Sequence, residues 1–287
     1  MCIRDRDWSG ARETLNATMH ARQQPRDVGT RRDAVLSFAD ARAALAEGDT
    51  ARGNEAALQA NRLAPTLVPA AALAARVQAA TGSKRKATRT LTSVWAVTPQ
   101  PELAAAFAAI EPDESPEARR KRFATLTAAN PDHPESRLLE AELALAAEDF
   151  PAARKALGEL ADTRPSTRSL ALMAAIERGQ GAPDAVVRGW LAKALGASRG
   201  PQWVCGNCSH LHAAWEPVCE ACGAFDSLDW KEPAPPEDAG LSDSSLLPLI
   251  VGTASGPEPA EAPPAEPAVE DAELATVADR ARAAGGG

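Results

Sequence analysis

Residues Trp203–Trp230 read WVCGNCSHLHAAWEPVCEACGAFDSLDW and contain two Cys-x2-Cys pairs, Cys205/Cys208 and Cys219/Cys222, separated by ten residues. Two residues between cysteines allow one tight turn to direct both sulfurs at a single ion. Two such turns facing each other form a closed, tetrahedral four-sulfur site, which is typical of structural zinc. Because a segment this short cannot bury a core of its own, we expect metal binding to supply most of its folding energy.

Three alternatives concern the chemistry of this segment. Two disulfides could link the same cysteines, although a Cys-x2-Cys bridge is more often redox-active than structural. A single iron also fits four sulfurs, and zinc is the preferred ion here. His210 and His212 lie between the two pairs. Since four thiolates complete the site, we expect both histidines to face solvent, with a contact to a ligand or to a partner as the alternative.

The composition of the chain favours helices. It has 287 residues with a formal charge of −8, aromatic residues make up 4%, and tyrosine is absent. Alanine-rich sequence with few aromatic residues is typical of helix rather than sheet. The apolar runs are shorter than the ~20 residues of a membrane span, and no basic patch predicts nucleic-acid binding. A phosphate-binding glycine loop, an HExxH motif and a Gly-x-Ser-x-Gly motif are all missing from the sequence, so we predict a protein that is not an enzyme.

An internal repeat precedes the cysteine segment. Four prolines at intervals of 34, 32 and 34 residues each follow a helical pattern: Pro65, Pro99, Pro131 and Pro165. When the repeats are aligned on these prolines, Asp49 matches Asp149 and small residues recur where two helices must approach closely. The period and this placement of Ala, Asp and Pro resemble the tetratricopeptide repeat.

The repeat predicts helix pairs at 31–47 with 50–63, 67–81 with 84–97, 101–110 with 116–129, 135–147 with 150–162, and 167–178 with 184–195. We expect five aromatic side chains to fill the gaps between the helices: Trp95, Phe107, Phe123, Phe150 and Trp190. The basic runs 84–86 and 119–122 are interpreted as solvated faces, with a surface for an acidic partner or for lipid headgroups as the alternative. His133 is expected to be a turn residue.

The predicted organisation has four parts. Residues 1–6, MCIRDR, are typical of an adapter-derived prefix and are excluded from the fold. Residues 7–200 form an all-α, tetratricopeptide-like solenoid that begins on the second helix of a repeat, so we expect the natural protein to continue upstream. Residues 201–231 form a zinc-ribbon-like or rubredoxin-like domain. Residues 232–287 form an acidic, Pro/Ala-rich disordered tail, in which Leu246–Val251 could dock and 270–283 could be helical.

The cysteine segment and its surroundings resemble the HemY family in its alphaproteobacterial form. The resemblance spans residues 7–250 and depends most on Trp203-x-Cys205-x2-Cys208 and on Trp215-x-Pro217-x-Cys219-x2-Cys222-x2-Phe225-Asp226-Ser227-Leu228-x-Trp230. It implies an inner-membrane protein, anchored by N-terminal segments missing here and facing the cytoplasm, which is associated with late haem (tetrapyrrole) biosynthesis without being an established catalyst of it. The four cysteines match the family's metal-binding positions, and no haem-binding residue is carried over.

The expected function is therefore a non-catalytic scaffold that binds protein partners through the solenoid. Trp203, Trp215 and Trp230 are expected to pack the metal segment onto the last helix pair. Two alternatives remain: an adaptor like LapB, which regulates lipopolysaccharide synthesis, and a redox or haem-handling protein.

Overall fold

The computed structural model describes residues 7–21 and 25–234, and this part of the chain is mostly helical, with one small sheet. The helices are α1 Trp8–His20, α2 Arg26–Ala46, α3 Thr50–Leu63, α4 Val68–Ala80, α5 Lys84–Trp95, α6 Pro101–Ala108, α7 Pro116–Thr127, α8 Pro134–Ala146, α9 Phe150–Leu157, α10 Leu160–Thr163, α11 Thr167–Gly179 and α12 Asp184–Leu195. The strands are β1 Gln202–Cys205, β2 Leu211–His212 and β3 Leu228–Lys231. The predicted prefix 1–6, the segments Leu246–Val251 and 270–283, and most of the predicted tail lie outside the described residues.

Short polar side chains fix where several helices begin. The carboxylate of Asp49 accepts a hydrogen bond from the backbone N–H of Arg52 at 3.1 Å, and Asp149 accepts one from Ala152 at 3.0 Å. Each satisfies one of the N–H groups that the first turn of a helix leaves unpaired. At the start of α8 the His133 ring accepts from the N–H of Glu135. His133 therefore lies in a turn, as predicted, and it also caps the N-terminus of α8.

A helix is found at each of the ten predicted positions, and two of these helices differ from the prediction in their extent. The helix α2 begins at Arg26, five residues before the predicted start. The predicted helix 150–162 is divided at Gly158, where φ is +52°. The guanidinium of Arg137 donates to the carbonyls of Ala156 and Leu157 at 3.2 and 3.1 Å. These carbonyl groups are thus satisfied from outside the helix, which compensates for the break.

The five aromatic residues differ in how deeply they lie. Trp95, Phe107 and Phe123 are buried, as predicted, and the Trp95 indole donates to the buried Ser136 hydroxyl at 2.8 Å. Phe150 and Trp190 are only half-buried. The prediction that residues 119–122 form a solvated face is wrong for Arg122. The Arg122 guanidinium covers the rings of Phe107 and Phe123, because a cation is attracted to the face of an aromatic ring.

The sheet belongs entirely to the cysteine segment. Its strand order is β2-β1-β3, and both neighbouring pairs are antiparallel. Trp203 on β1 lies opposite His212 on β2 and Trp230 on β3. The indoles of Trp203 and Trp230 pack edge to face, with ring centroids 5.2 Å apart. Three short strands without a helix of their own must find further burial elsewhere in the molecule.

That burial is found on α2, α3 and α4. One hydrophobic cluster joins Trp203, Cys205, Trp215, Cys219 and Leu228 of the cysteine segment to residues of these helices and of the turn between α3 and α4: Ala34, Val35, Phe38, Ala60, Ala64, Leu67 and Ala70. The last helix pair, α11 and α12, belongs to a different cluster with no member from 203–230. The expectation that the tryptophans pack onto the last pair is therefore wrong. The helix α2 offers both apolar and cationic side chains, which match the aromatic and acidic residues of the segment.

In the part of the chain that the structure describes, no helix combines the length and the hydrophobicity needed to cross a membrane.

We expect Gly158→Ala to lower the urea midpoint of unfolding, at a cost of about 1–3 kcal/mol, because an alanine would be strained at this positive φ. Its Cβ would also collide with the Arg137 guanidinium. The matched control is Gly189→Ala in α12, where a Cβ meets open space. Gly189→Ala should leave the free energy of unfolding unchanged or raise it by up to about 1 kcal/mol. Equal midpoints for the two variants would contradict this explanation of the helix break.

Candidate metal centre

Two tight turns bring the four cysteines together. The N–H of Ser209 donates to the Cys205 carbonyl at 2.9 Å, and the N–H of Gly223 donates to the Cys219 carbonyl at 2.8 Å. Gly223 has the positive φ of 72° that its position after the last cysteine predicts. Each turn directs two sulfurs to the same side, so the two turns face each other across one small space.

The sulfur geometry fits one ion. All four sulfurs lie within 4.8 Å of one another, with Cys205 Sγ 3.8 Å from Cys222 Sγ and Cys208 Sγ 3.7 Å from Cys219 Sγ. A tetrahedral site with metal–sulfur bonds of about 2.3 Å requires sulfurs about 3.8 Å apart, whereas a disulfide requires about 2.0 Å. The cysteines are free, so the alternative of two disulfides is wrong. Four sulfurs suit Zn(II) or a single iron.

Hydrogen bonds from neighbouring groups favour the thiolate form of Cys205 and Cys222. At Cys208, a hydrogen bond with the His210 backbone is instead outweighed by desolvation and by the other three cysteines, which raise the pKa of that thiol to about 12. The Ser227 hydroxyl lies 3.3 Å from Cys205 Sγ, and the N–H of Asn207 donates to the same sulfur at 3.4 Å. Chiefly because of the Ser227 contact, the pKa of Cys205 falls to about 6. The Asn207 amide donates to Cys222 Sγ at 3.3 Å and lowers the pKa of that thiol. Thiolate is the form that binds metal, so these contacts prepare the site for an ion.

His212 is buried beside the cysteines. Its Nε2 lies 3.3 Å from Cys219 Sγ and its side chain is 3% exposed, whereas the His210 side chain is 43% exposed. The expectation that both histidines face solvent is therefore wrong for His212, and a contact with a ligand is what the structure shows. The reason is the alternation of side chains along β2, which directs Leu211 outward and His212 inward.

The side of the site with Cys205 and Cys219 is buried against the helices, and Cys208 and Cys222 are exposed. Phe38 of α2 packs against the Trp215 ring edge to face, with centroids 5.4 Å apart. The helix and the segment are thus joined directly beside the buried sulfurs.

Two ion pairs flank that aromatic contact. The Arg31 guanidinium donates to both carboxylate oxygens of Asp226 at 3.0 Å, and Arg42 donates to both oxygens of Glu216 at 2.9 and 3.1 Å. Paired hydrogen bonds of this kind fix orientation as well as distance. Sequence alone does not reveal these contacts, because nothing near Arg31, Phe38 or Arg42 indicates a partner more than 170 residues away.

Comparison with known proteins gives one distant relative. The chain is 30% identical over 240 residues to the "Probable magnetosome protein Mms48" of Magnetospirillum gryphiswaldense, an alignment that covers 83% of this chain and 53% of that protein. The chain thus spans about half the length of the curated relative that it matches. No protein-family model matches the chain.

Replacing His212 should weaken metal binding. We expect His212→Gln to lower the metal affinity by about 10–100-fold, the range typical of removing a hydrogen-bond partner of a metal ligand. Competition with a chromogenic chelator measures this affinity. The control is His210→Gln, since the exposed His210 ring pairs with Glu220 rather than with a sulfur. An equal loss in both variants would contradict a specific contribution from His212.

The pH at which the metal is released should depend on Ser227. Protons compete with the ion for the thiolates, so metal is retained at high pH and lost as the pH falls. Ser227→Ala removes the main cause of the low Cys205 pKa. That pKa should rise, and metal release should therefore begin at a higher pH than in the unmodified chain. A pH titration of bound metal checks the sign, and a midpoint moved to lower pH would contradict it.

Proposed function

We propose that this chain is a non-catalytic repeat scaffold of the HemY type, which binds protein partners through its helices. The observation that carries the proposal is an array of paired helices joined to a four-cysteine module, the name used below for residues 201–231. The helices α3, α5, α7, α9 and α12 begin at residues 50, 84, 116, 150 and 184. A spacing of about 34 residues supports tetratricopeptide repeats, which form an extended binding surface when they stack.

The module supports a structural role for its metal, preferably zinc. Four cysteine ligands leave no position at which a substrate or an activated water could bind the ion. A closed site therefore supports folding rather than catalysis, and the absence of catalytic motifs in the sequence agrees with this. The metal would hold the module in the shape that fits α2.

The association with haem biosynthesis at the inner membrane follows from the resemblance in the cysteine and tryptophan pattern. Under this proposal, the protein acts at the cytoplasmic face of the inner membrane, and its partners are proteins rather than nucleic acids. The relative from Magnetospirillum gryphiswaldense is named for the magnetosome. A scaffold role in the magnetosome is therefore a second candidate function. The experiment below distinguishes the two candidates by the proteins that are captured.

The test is an affinity purification from native membranes, with the chain expressed in its natural length and cross-linked before extraction. We expect at least one enzyme of late haem biosynthesis to be enriched over a tag-only control. Leu91→Asp, which places a charge in a fully buried position of α5, should remove this enrichment because it disrupts the array. Enrichment of lipopolysaccharide-synthesis proteins instead would favour the LapB-like adaptor. Turnover of a porphyrin by the purified chain alone would contradict a non-catalytic scaffold.

A further inference from the structure

One side of α2 carries a pattern of charge and hydrophobicity that resembles a binding surface. Arg31, Val35, Phe38 and Arg42 are spaced by four, three and four residues, which places them in one stripe along the helix. We call these four residues the α2 stripe. Its two apolar members are buried and its two arginines lie at the ends. A segment with an apolar centre and two carboxylates would match the stripe.

The four-cysteine module supplies such a segment from the same chain. An aromatic residue is followed directly by an acidic one at two positions of the module, Trp215-Glu216 and Phe225-Asp226. Trp215 packs on Phe38, and Glu216 pairs with Arg42 at one end of the stripe. At the other end Asp226 pairs with Arg31, while Phe225 packs against the hydrophobic cluster that contains Val35 and Phe38. The structure therefore shows the α2 stripe with an acidic and aromatic ligand bound to it.

The shape of this ligand depends on the metal site. Cys219 lies between the two aromatic–acidic pairs in sequence, and its sulfur belongs to the four-sulfur cluster. Cys205 and Cys219 are buried in the same hydrophobic cluster as Val35 and Phe38. Without an ion, the positions of Trp215 and Asp226 would depend on three short strands and on a few backbone hydrogen bonds, such as the one from the Asp226 N–H to the Pro217 carbonyl at 2.9 Å. Loss of the metal should therefore release the stripe.

We propose that the α2 stripe is a binding surface for acidic, aromatic segments of a protein partner, and that the metal-loaded module occupies it until the metal is lost. This inference rests on the proposed scaffold function, because it names the surface and the chemistry of the partner. The module is joined to α12 through residues 196–200, a short connection that keeps its effective concentration at the stripe on the order of millimolar. A partner therefore competes poorly while the module is folded and well after the metal is removed.

The test measures binding of a fluorescein-labelled peptide to the full chain by fluorescence anisotropy. The peptide covers residues 213–228, AAWEPVCEACGAFDSL, and carries Cys219→Ser and Cys222→Ser so that it binds no metal. It is cyclised head to tail, which holds its two aromatic–acidic pairs near each other without an ion and favours it over the unfolded module of the chelated chain. The chain is measured with zinc bound and again after chelation under reducing conditions. We expect at least about tenfold tighter peptide binding after chelation. Equal affinity in the two states, tighter binding in the zinc-loaded state, or no binding to either state would overturn the proposal.

Charge reversal identifies the surface. The double variant Arg31→Glu, Arg42→Glu should lose peptide binding in the chelated state, and a peptide with Glu216→Lys and Asp226→Lys should restore it. The matched control is Arg85→Glu, Arg89→Glu, which changes the same charge on exposed positions of α5. Circular dichroism verifies that both variants keep their helices. Undiminished peptide binding by the α2 variant would overturn the proposal, as would failure of the reversed peptide to restore it.

The two proposals fail in different ways. If, after chelation, native partners are captured equally by the unmodified chain and by the Arg31→Glu, Arg42→Glu variant, the α2 stripe is not the docking surface and the scaffold function remains. If chelation raises peptide binding tenfold but no native partner is captured, the stripe is supported and the scaffold function is not.

Discussion

The contact between Phe38 and Trp215 joins a helix near the start of the chain to the module near its end, and much of the structure depends on it. The four-cysteine module has three short strands and little apolar surface to bury within itself. Its largest side chains, Trp203 and Trp215, are instead buried against α2–α4. Burial stabilises by about 25 cal/mol per Å² of apolar surface. The helices thus provide the core that the module lacks, and an ion held by the four cysteines would fix the shape that fits them.

The helical array and the four-cysteine module are stabilised in different ways. Each helix pair is stabilised by its neighbours and by local caps such as Asp49 and Asp149, so the array does not need the metal. We expect the module to need both an ion and α2. Loss of the ion should therefore affect the module and the surface beneath it while the remaining helices keep their packing. Under the proposed scaffold function, the molecule would alter one binding surface without unfolding.

Much of the helical part could be predicted from the sequence because its signals are local. Prolines, glycines and capping aspartates recur with the repeat, and they place the ends of helices within a few residues. The four-cysteine cluster was predictable for the same reason, since each Cys-x2-Cys turn is specified by adjacent residues. Even the burial of His212 had a local signal in the alternation along β2.

The position of the module was not predictable, because the residues that determine it are far apart in sequence. Arg31 and Asp226 are separated by 195 positions, and neither has a neighbour that indicates the other. The break at Gly158 has the same character, since the Arg137 side chain that satisfies the exposed carbonyls comes from another helix. Arg122 looked like part of a charged surface, yet it covers two aromatic rings that only the folded chain brings near it.

X-ray absorption spectroscopy of the purified chain at the edge of its bound metal tests the central claim most directly. The account predicts one shell of four sulfur atoms at about 2.3 Å from the ion. A shell that contains oxygen or nitrogen, or a purified and folded chain without any bound metal, would contradict it.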